Sequence, residues 1–380
     1  MSEVSKSVNP PTAQETQSLR ASMTIWHSFT LGFAVVSPIV GLYAIIGVQT
    51  AVTGGGWFAA LVICLLMQLL VATVYAELSS QFPIAGGAYK WARQFYGSTA
   101  GHYAGVIYIS STIAMLTTTA YAGGIWFAGF FGSSGDSGME KVLWAVVFLA
   151  LCTALNLVHV NVFKLTIKLG VYAEIVGSFG IAILLFLFFR QHSLTELFQH
   201  LGTGTAPSQT AAFLAALAIA GWAFIGFDAC STTAEETHEP KRAVPRAIFF
   251  SLCTVGTVVV FNSASLILAF DHETLIHSSA TADPITPLVA NHFGGWIEKP
   301  FLAIVMVAFL ACGASVVKYT SRIMFSMARE GNMPAALSRV TASQTPRNAV
   351  LFTVLLAGCG LIFGLNDDAA FVILGKLLFD

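Results

Sequence analysis

Long apolar runs separated by short polar connections dominate this chain. From Trp57 to Ala76 there is no charge and no alternation of apolar and polar positions. A helix needs about 20 apolar residues to cross about 30 Å of hydrocarbon. Barrel strands are about ten residues long and alternate in polarity, so a strand reading fails. The runs predict helices near 25–50, 57–82, 101–131, 142–162 and 164–189, then 211–234, 245–270, 300–328, 348–365 and 368–380. The last run has 13 residues, about 20 Å at 1.5 Å per residue, and is expected to be incomplete or re-entrant. Residues 1–24, rich in Ser, Thr, Gln and Pro, read as a disordered tail on the cytoplasmic side.

Composition agrees. The 380 residues are 56% hydrophobic and only 10% charged, whereas soluble domains carry about 25% charged residues. Too few charges are available to cover a water-soluble globule. A soluble enzyme and a disordered chain are thereby excluded, and a net charge of -1 gives no footprint for nucleic acid. The expected partners are a lipid bilayer and a small molecule. The six cysteines stand singly in apolar runs, the histidines make no metal motif and no phosphate-binding loop is present, so no metal and no cofactor are expected. With the N-terminus inside, thirteen Lys and Arg lie in inner connections against Lys141, Arg190 and Lys299 outside. That bias orients a multi-pass protein in a plasma or bacterial inner membrane.

Two runs are interrupted in matching places. The first contains Ser37-Pro38-Ile39-Val40-Gly41 and the sixth Trp222-Ala223-Phe224-Ile225-Gly226-Phe227-Asp228. Ser37 and Phe224 are 187 positions apart, so each break falls in the first helix of a five-helix half. Paired interruptions of this kind point to a transport site, because an unwound turn frees backbone groups for a ligand. Both stretches are therefore expected to be non-helical and to face one another.

Several motifs carry a family resemblance. Tyr75-Ala76-Glu77-Leu78-Ser79-Ser80 with Gly86-Gly87-Ala88-Tyr89 resembles the second helix and following loop of permeases of the amino acid–polyamine–organocation superfamily. Phe227-Asp228, Ala234-Glu235-Glu236-Thr237 and Val244-Pro245-Arg246 resemble its sixth helix and inner loop. Ser321-Arg322 and Ala328-Arg329-Glu330-Gly331 are similar to its motif after helix eight. The resemblance covers about residues 25–380. It implies an all-α membrane protein with a LeuT-type five-plus-five inverted repeat, the first repeat at about 25–190 and the second at about 211–380. It also implies secondary transport of an amino acid, a polyamine or a similar amine, not an enzymatic activity. The resemblance implies that the substrate carboxylate meets backbone amides around the stretch Ser37, Pro38, Ile39, Val40 and Gly41. Its amino group would meet carbonyls around Trp222, Ala223, Phe224 and Gly226, with Trp222 as an aromatic cover and Phe227 and Asp228 beside the pocket. Where the family often reads G-x-G in the first break, this chain has Ile39-Val40-Gly41. Ser111 and Phe309 are further wall candidates.

Charges inside apolar runs need protein or water around them. Glu77 is expected to bond to nearby backbone or a basic inner residue. Glu174 and Lys318 each lie about ten residues from the inner boundary, so they are expected to pair and couple transport to protons. Glu235, Glu236 and Arg246 read as solvated loop charges, and the resemblance suggests them as an inner gate. A transport-inactive homologue or accessory subunit stays open as the alternative, given the short tenth run.

Overall fold

The computed structural model describes Met23 to Leu365, apart from residues 55, 134–136, 159, 200–203, 272–273, 276–282, 284 and 342–344. The expected tail, save its last two residues, and the tenth run lie outside the described residues. Those residues contain nine helical segments long and apolar enough to span a bilayer.

The first span is three pieces, α1 (Ile25–Val36), α2 (Pro38–Tyr43) and α3 (Ile46–Thr53). Then come α4 (Phe58–Gln81), α5 (Ala88–Phe130) and α6 (Gly138–Leu157). The fifth span is α7 (Val160–Glu174), a π-helical turn at Ile175–Gly180, and α8 (Ile181–Phe188). The sixth is α9 (Gln209–Gly221), a 3₁₀ turn and α10 (Ala229–Thr232). After it run α11 (Pro240–Ala269), the short α12 (Thr286–Phe293), α13 (Glu298–Arg329) and α14 (Arg347–Gly360).

Burial separates core helices from peripheral ones. Every residue of α13 from Ala311 to Ala328 is buried, as is most of α1 and α2. The face of α4 that carries Leu66, Met67, Leu70 and Val74 is exposed. Water would make that pattern unfavourable at about 25 cal/mol per Å² of apolar surface; hydrocarbon carries no such cost.

One span begins earlier than its hydrophobicity predicts. α5 starts at Ala88 rather than near 101, because Lys90, Arg93 and their neighbours form a polar stub that an apolar count skips. Gly97, with φ +88° and ψ 179°, turns that stub away from the main helix, a backbone setting that suits glycine.

Candidate functional site

The first break is smaller than the sequence suggests. Pro38 has no N–H, and its ring would clash with the preceding turn of a continuous helix. The chain yields at Ser37 alone, at φ +46° and ψ 109°. Pro38 then takes the first position of α2, for which its fixed φ is pre-set, and the Val40 N–H donates to Ser37 Oγ at 3.2 Å. The expectation of a non-helical 37–41 is therefore corrected: residues 38–41 are helical.

A carboxylate from another span completes this break. Glu174, the last residue of α7 and 3% exposed, accepts the Ser37 hydroxyl on Oε1 and the Ile39 N–H on Oε2 at 2.9 Å. Ile39 and Val40, offered above to a substrate carboxylate, thus already donate to side-chain oxygens of the protein. One turn further, the Tyr43 hydroxyl donates to the Gly177 carbonyl at 3.1 Å, within the π turn that follows Glu174.

The second break is longer. α9 stops at Gly221, Trp222–Phe224 form a 3₁₀ turn and Ile225 is extended at φ -75° and ψ 145°. Gly226 sits at φ +95°, and α10 starts only at Ala229. A Cβ on Gly226 would approach Val35 Cγ1 to 2.5 Å, and one on Gly41 would lie 3.0 Å from the Ala223 carbonyl oxygen. The two breaks face one another, as expected. Trp222, Ala223, Phe224 and Phe227 are buried; Phe227 meets Tyr75 edge-on at 5.6 Å.

Asp228 ends the second break, 7% exposed. Its Oδ2 accepts the hydroxyls of Tyr108 on α5 and Tyr319 on α13, the latter at 2.9 Å. The Tyr319 hydroxyl also lies 2.9 Å from that of Tyr108. Neither tyrosine was identified from sequence, since no spacing ties them to Asp228 across 120 and 91 positions.

The basic end of the bundle is closed by ion pairs. Arg322 Nε donates to Glu236 Oε1 at 2.6 Å, and Lys318 Nζ lies 3.4 Å from Oε2. Burial pushes the Glu236 carboxyl up, but these two cations outweigh it and hold it down at about 2. Arg329 grips both oxygens of Glu235 at 2.7 and 2.9 Å. Glu330 binds Lys90, Arg93 at 3.1 Å and the Tyr89 hydroxyl at 2.7 Å; burial raises its carboxyl, and the Lys90 and Tyr89 hydrogen bonds bring it below its ordinary value. Met23 crosses the same end, its N–H donating to the Glu236 carbonyl and its carbonyl accepting the His238 N–H, both at 2.8 Å.

Three expectations are corrected here. Glu174 and Lys318 do not pair, because Lys318 reaches Glu236 and lies over the Phe163 ring at 5.1 Å, while Glu174 turns to the first break. Arg246 is exposed on α11, and the arginines on Glu235 and Glu236 are Arg329 and Arg322 instead. Arg322 and Arg329 are seven positions apart, one helical face, a signal present in the sequence. Glu77 is exposed and accepts from Gln81 Nε2 at 2.5 Å, within its own helix.

At the opposite end, aromatic rings close over the breaks. Tyr43 meets Trp126 and Phe301 at 6.2 and 6.1 Å, and Trp126 meets the buried Phe309 at 6.2 Å. Ser111 is half-buried, one turn beyond Tyr108.

Known proteins give this geometry a context. The chain is 25% identical to the glutamate/serine transporter AimA of Bacillus subtilis over 87% of this chain and 64% of that one. It is 25% identical to the aromatic amino acid transport protein AroP of Escherichia coli K12, over 81% and 67%. It is 22% identical to the low-affinity putrescine importer PlaP of that strain, over 96% and 78%. It therefore spans about two thirds to four fifths of the length of these relatives. The crystal structure of MhsT in complex with L-phenylalanine superposes with a TM-score of 0.63 at 12% identity, covering 95% of this chain and 87% of that one, and shows the LeuT-type fold. Residues 27–377 match the family described as amino acid permease. The chain is thus a multi-pass, all-helical membrane protein of the amino acid permease family, not an enzyme.

Proposed function

We propose that this protein is a secondary transporter that moves an amino acid or related amine by alternating access. The observation that carries the reading is the pair of facing breaks, Gly41 against Ala223 and Val35 against Gly226. Backbone irregularity at membrane depth survives only inside protein or beside a water-filled path, and here it recurs in corresponding positions of two halves. The substrate lies between residues 37–41 and the stretch Trp222–Asp228, with Trp222 as cover. Ion pairs at one end and packed, mutually tilted rings at the other are the two gates. The gate partners of Glu235 and Glu236 are Arg329, Arg322 and Lys318.

The coupling ion in this reading is the proton, and Glu174 is its carrier. Supporting this is its position: it is the buried carboxylate that grips the moving element, and proton-binding carboxylates inside membranes mark ion pathways. The N-terminus is cytoplasmic, in line with the excess of Lys and Arg at that end. The relatives' substrates, glutamate and serine, aromatic amino acids and putrescine, support a small amino acid or amine as the class.

Uptake by the purified protein in proteoliposomes under an imposed proton gradient tests the reading. Wild type is expected to accumulate a labelled amino acid or amine, and Trp222→Ala to lose uptake while expressing near normal levels. Absence of uptake across a broad substrate panel would favour a transport-inactive subunit. A cysteine introduced at position 90 should resist an impermeant thiol reagent in sealed cells; labelling from outside would reverse the orientation.

A further inference from the structure

We infer that the protein carries a second ligand site, on the outer, lipid-facing side of the first break and sharing Pro38 and Glu174 with it, that takes a primary amine with a short aliphatic tail from within the bilayer. A cavity of about 470 Å³ lies between α1, the Glu174 end of α7 with its π turn, and α11. Its floor is Phe33, Pro38 and Glu174, all buried, and its rim is Ile175, Phe179 and Thr257, all exposed. Ile175 and Phe179, at 50% and 40% exposure, stand on the apolar outer surface of the bundle, so the cavity opens sideways toward lipid. Small-molecule sites run from about 300 to 1,000 Å³, mostly apolar with a few polar groups that fix orientation.

The chemistry of the lining selects the occupant. Glu174 is its one ionisable acid, and no Lys, Arg or His lines the cavity. Both carboxylate oxygens are held by neutral donors, the Ser37 hydroxyl and the Ile39 N–H. Among the described residues no ion pair reaches it; Lys318 and Arg322 of α13 pair with Glu236, Arg329 with Glu235, and Lys90 and Arg93 of α5 with Glu330. A carboxylate offers about four lone-pair sites, and two are used here. An ammonium supplies the missing charge and three donors, while Phe33, Phe179 and Val258 receive an alkyl chain. A neutral acyl chain fits the walls equally and leaves the carboxylate unanswered, which is the contrast to test. The opening toward lipid requires a ligand that partitions into the bilayer, which distinguishes it from a polar substrate arriving through the water-facing gates.

Cys253 lines the same cavity, is half-buried and is a free thiol, so the protein carries its own reporter. Cys359, exposed on α14, is an internal reference. Wild type in lipid nanodiscs is treated with N-ethylmaleimide, and modification of each cysteine is followed by peptide mass spectrometry. Saturating hexylamine is expected to slow Cys253 modification about tenfold relative to Cys359, the equivalent of ~1.4 kcal/mol, and hexan-1-ol to leave it unchanged. Glu174→Gln should remove the amine effect and retain labelling. Equal slowing by amine and alcohol, no slowing by amine, or no labelling of Cys253 would each overturn the proposal. The amine–alcohol contrast in wild type decides the matter even if the variant fails to fold. The readout involves no transport, so its failure leaves the transport reading standing, and the reverse.

Discussion

The two broken helices solve the same problem in opposite ways. In the first, one residue leaves the helix and is tied at once: Ser37 caps α2, and Glu174 binds both Ser37 and Ile39. In the second, seven residues from Trp222 to Asp228 leave α-helical geometry, and the fastenings stand at the far end, at Asp228 and Glu236. The first is a hinge with a latch from a neighbouring span. The second is a length of released backbone anchored downstream. Within the proposed transport cycle, angular change falls to the first and ligand shape to the second.

The largest expected effect comes from cutting the downstream anchor. Glu236→Ala leaves Arg322 and Lys318 buried without their carboxylate, a loss of ~3–5 kcal/mol where a buried pair is broken from one side. Thermal unfolding in detergent reads it, and an unchanged midpoint would mean that the anchor is slack. Next is Gly226→Val, which forces φ +95° on a β-branched residue and drives its side chain toward Val35. Strained backbone of this kind costs ~1–3 kcal/mol, so a variant as stable as wild type would remove the argument for a fixed second break. Ser37→Ala is milder: it deletes the cap and one bond to Glu174, at ~1–2 kcal/mol, and tests the latch. If Ser37→Ala destabilised more than Gly226→Val, the roles of the two breaks would be exchanged.

The smallest effect is a null result with a defined window. The folded-state Glu236 carboxyl is lowered to about 2 from an ordinary value of 4.5. Its contribution is therefore complete above pH 4.5 and is lost only as pH falls toward 2. The stability difference between wild type and Glu236→Gln should be flat from about pH 5 to 8 and shrink below about 4.5. A difference that changed between pH 5 and 8 would point to another titrating group at this end.

The first nine spans, the positions of the two breaks and the acids that meet basic side chains after the sixth span were legible because each leaves a local mark: an apolar run, a Pro or a Gly pair, an acid beside membrane. Partners were not. Glu174 and Lys318 share a depth along the bilayer, but depth says nothing about azimuth around a helix. Lys318 lies four residues before Arg322 on one face and so shares Glu236. Arg246 fails for a similar reason, since its place in the first turns of α11 is near the acids along the chain but its exposed face points away from them. The first break is shorter than expected because neither Pro38 nor Gly41 has to unwind the chain. Pro38 at a helix start is tolerated, and Gly41 serves close approach to Ala223.

The strand-like crossing at Met23 has a consequence for the order in which the molecule is made. Met23 exchanges backbone hydrogen bonds with Glu236 and His238, so this seal joins the beginning of the chain to the loop after the sixth span. More than two hundred residues must be synthesised and the six intervening spans inserted before the contact exists. Closures that wait on such distant partners form late. A nascent protein halted after its fifth span has Met23 without its backbone partners. Completion of the loop after the sixth span and sealing of Met23 thus become a single event in biogenesis.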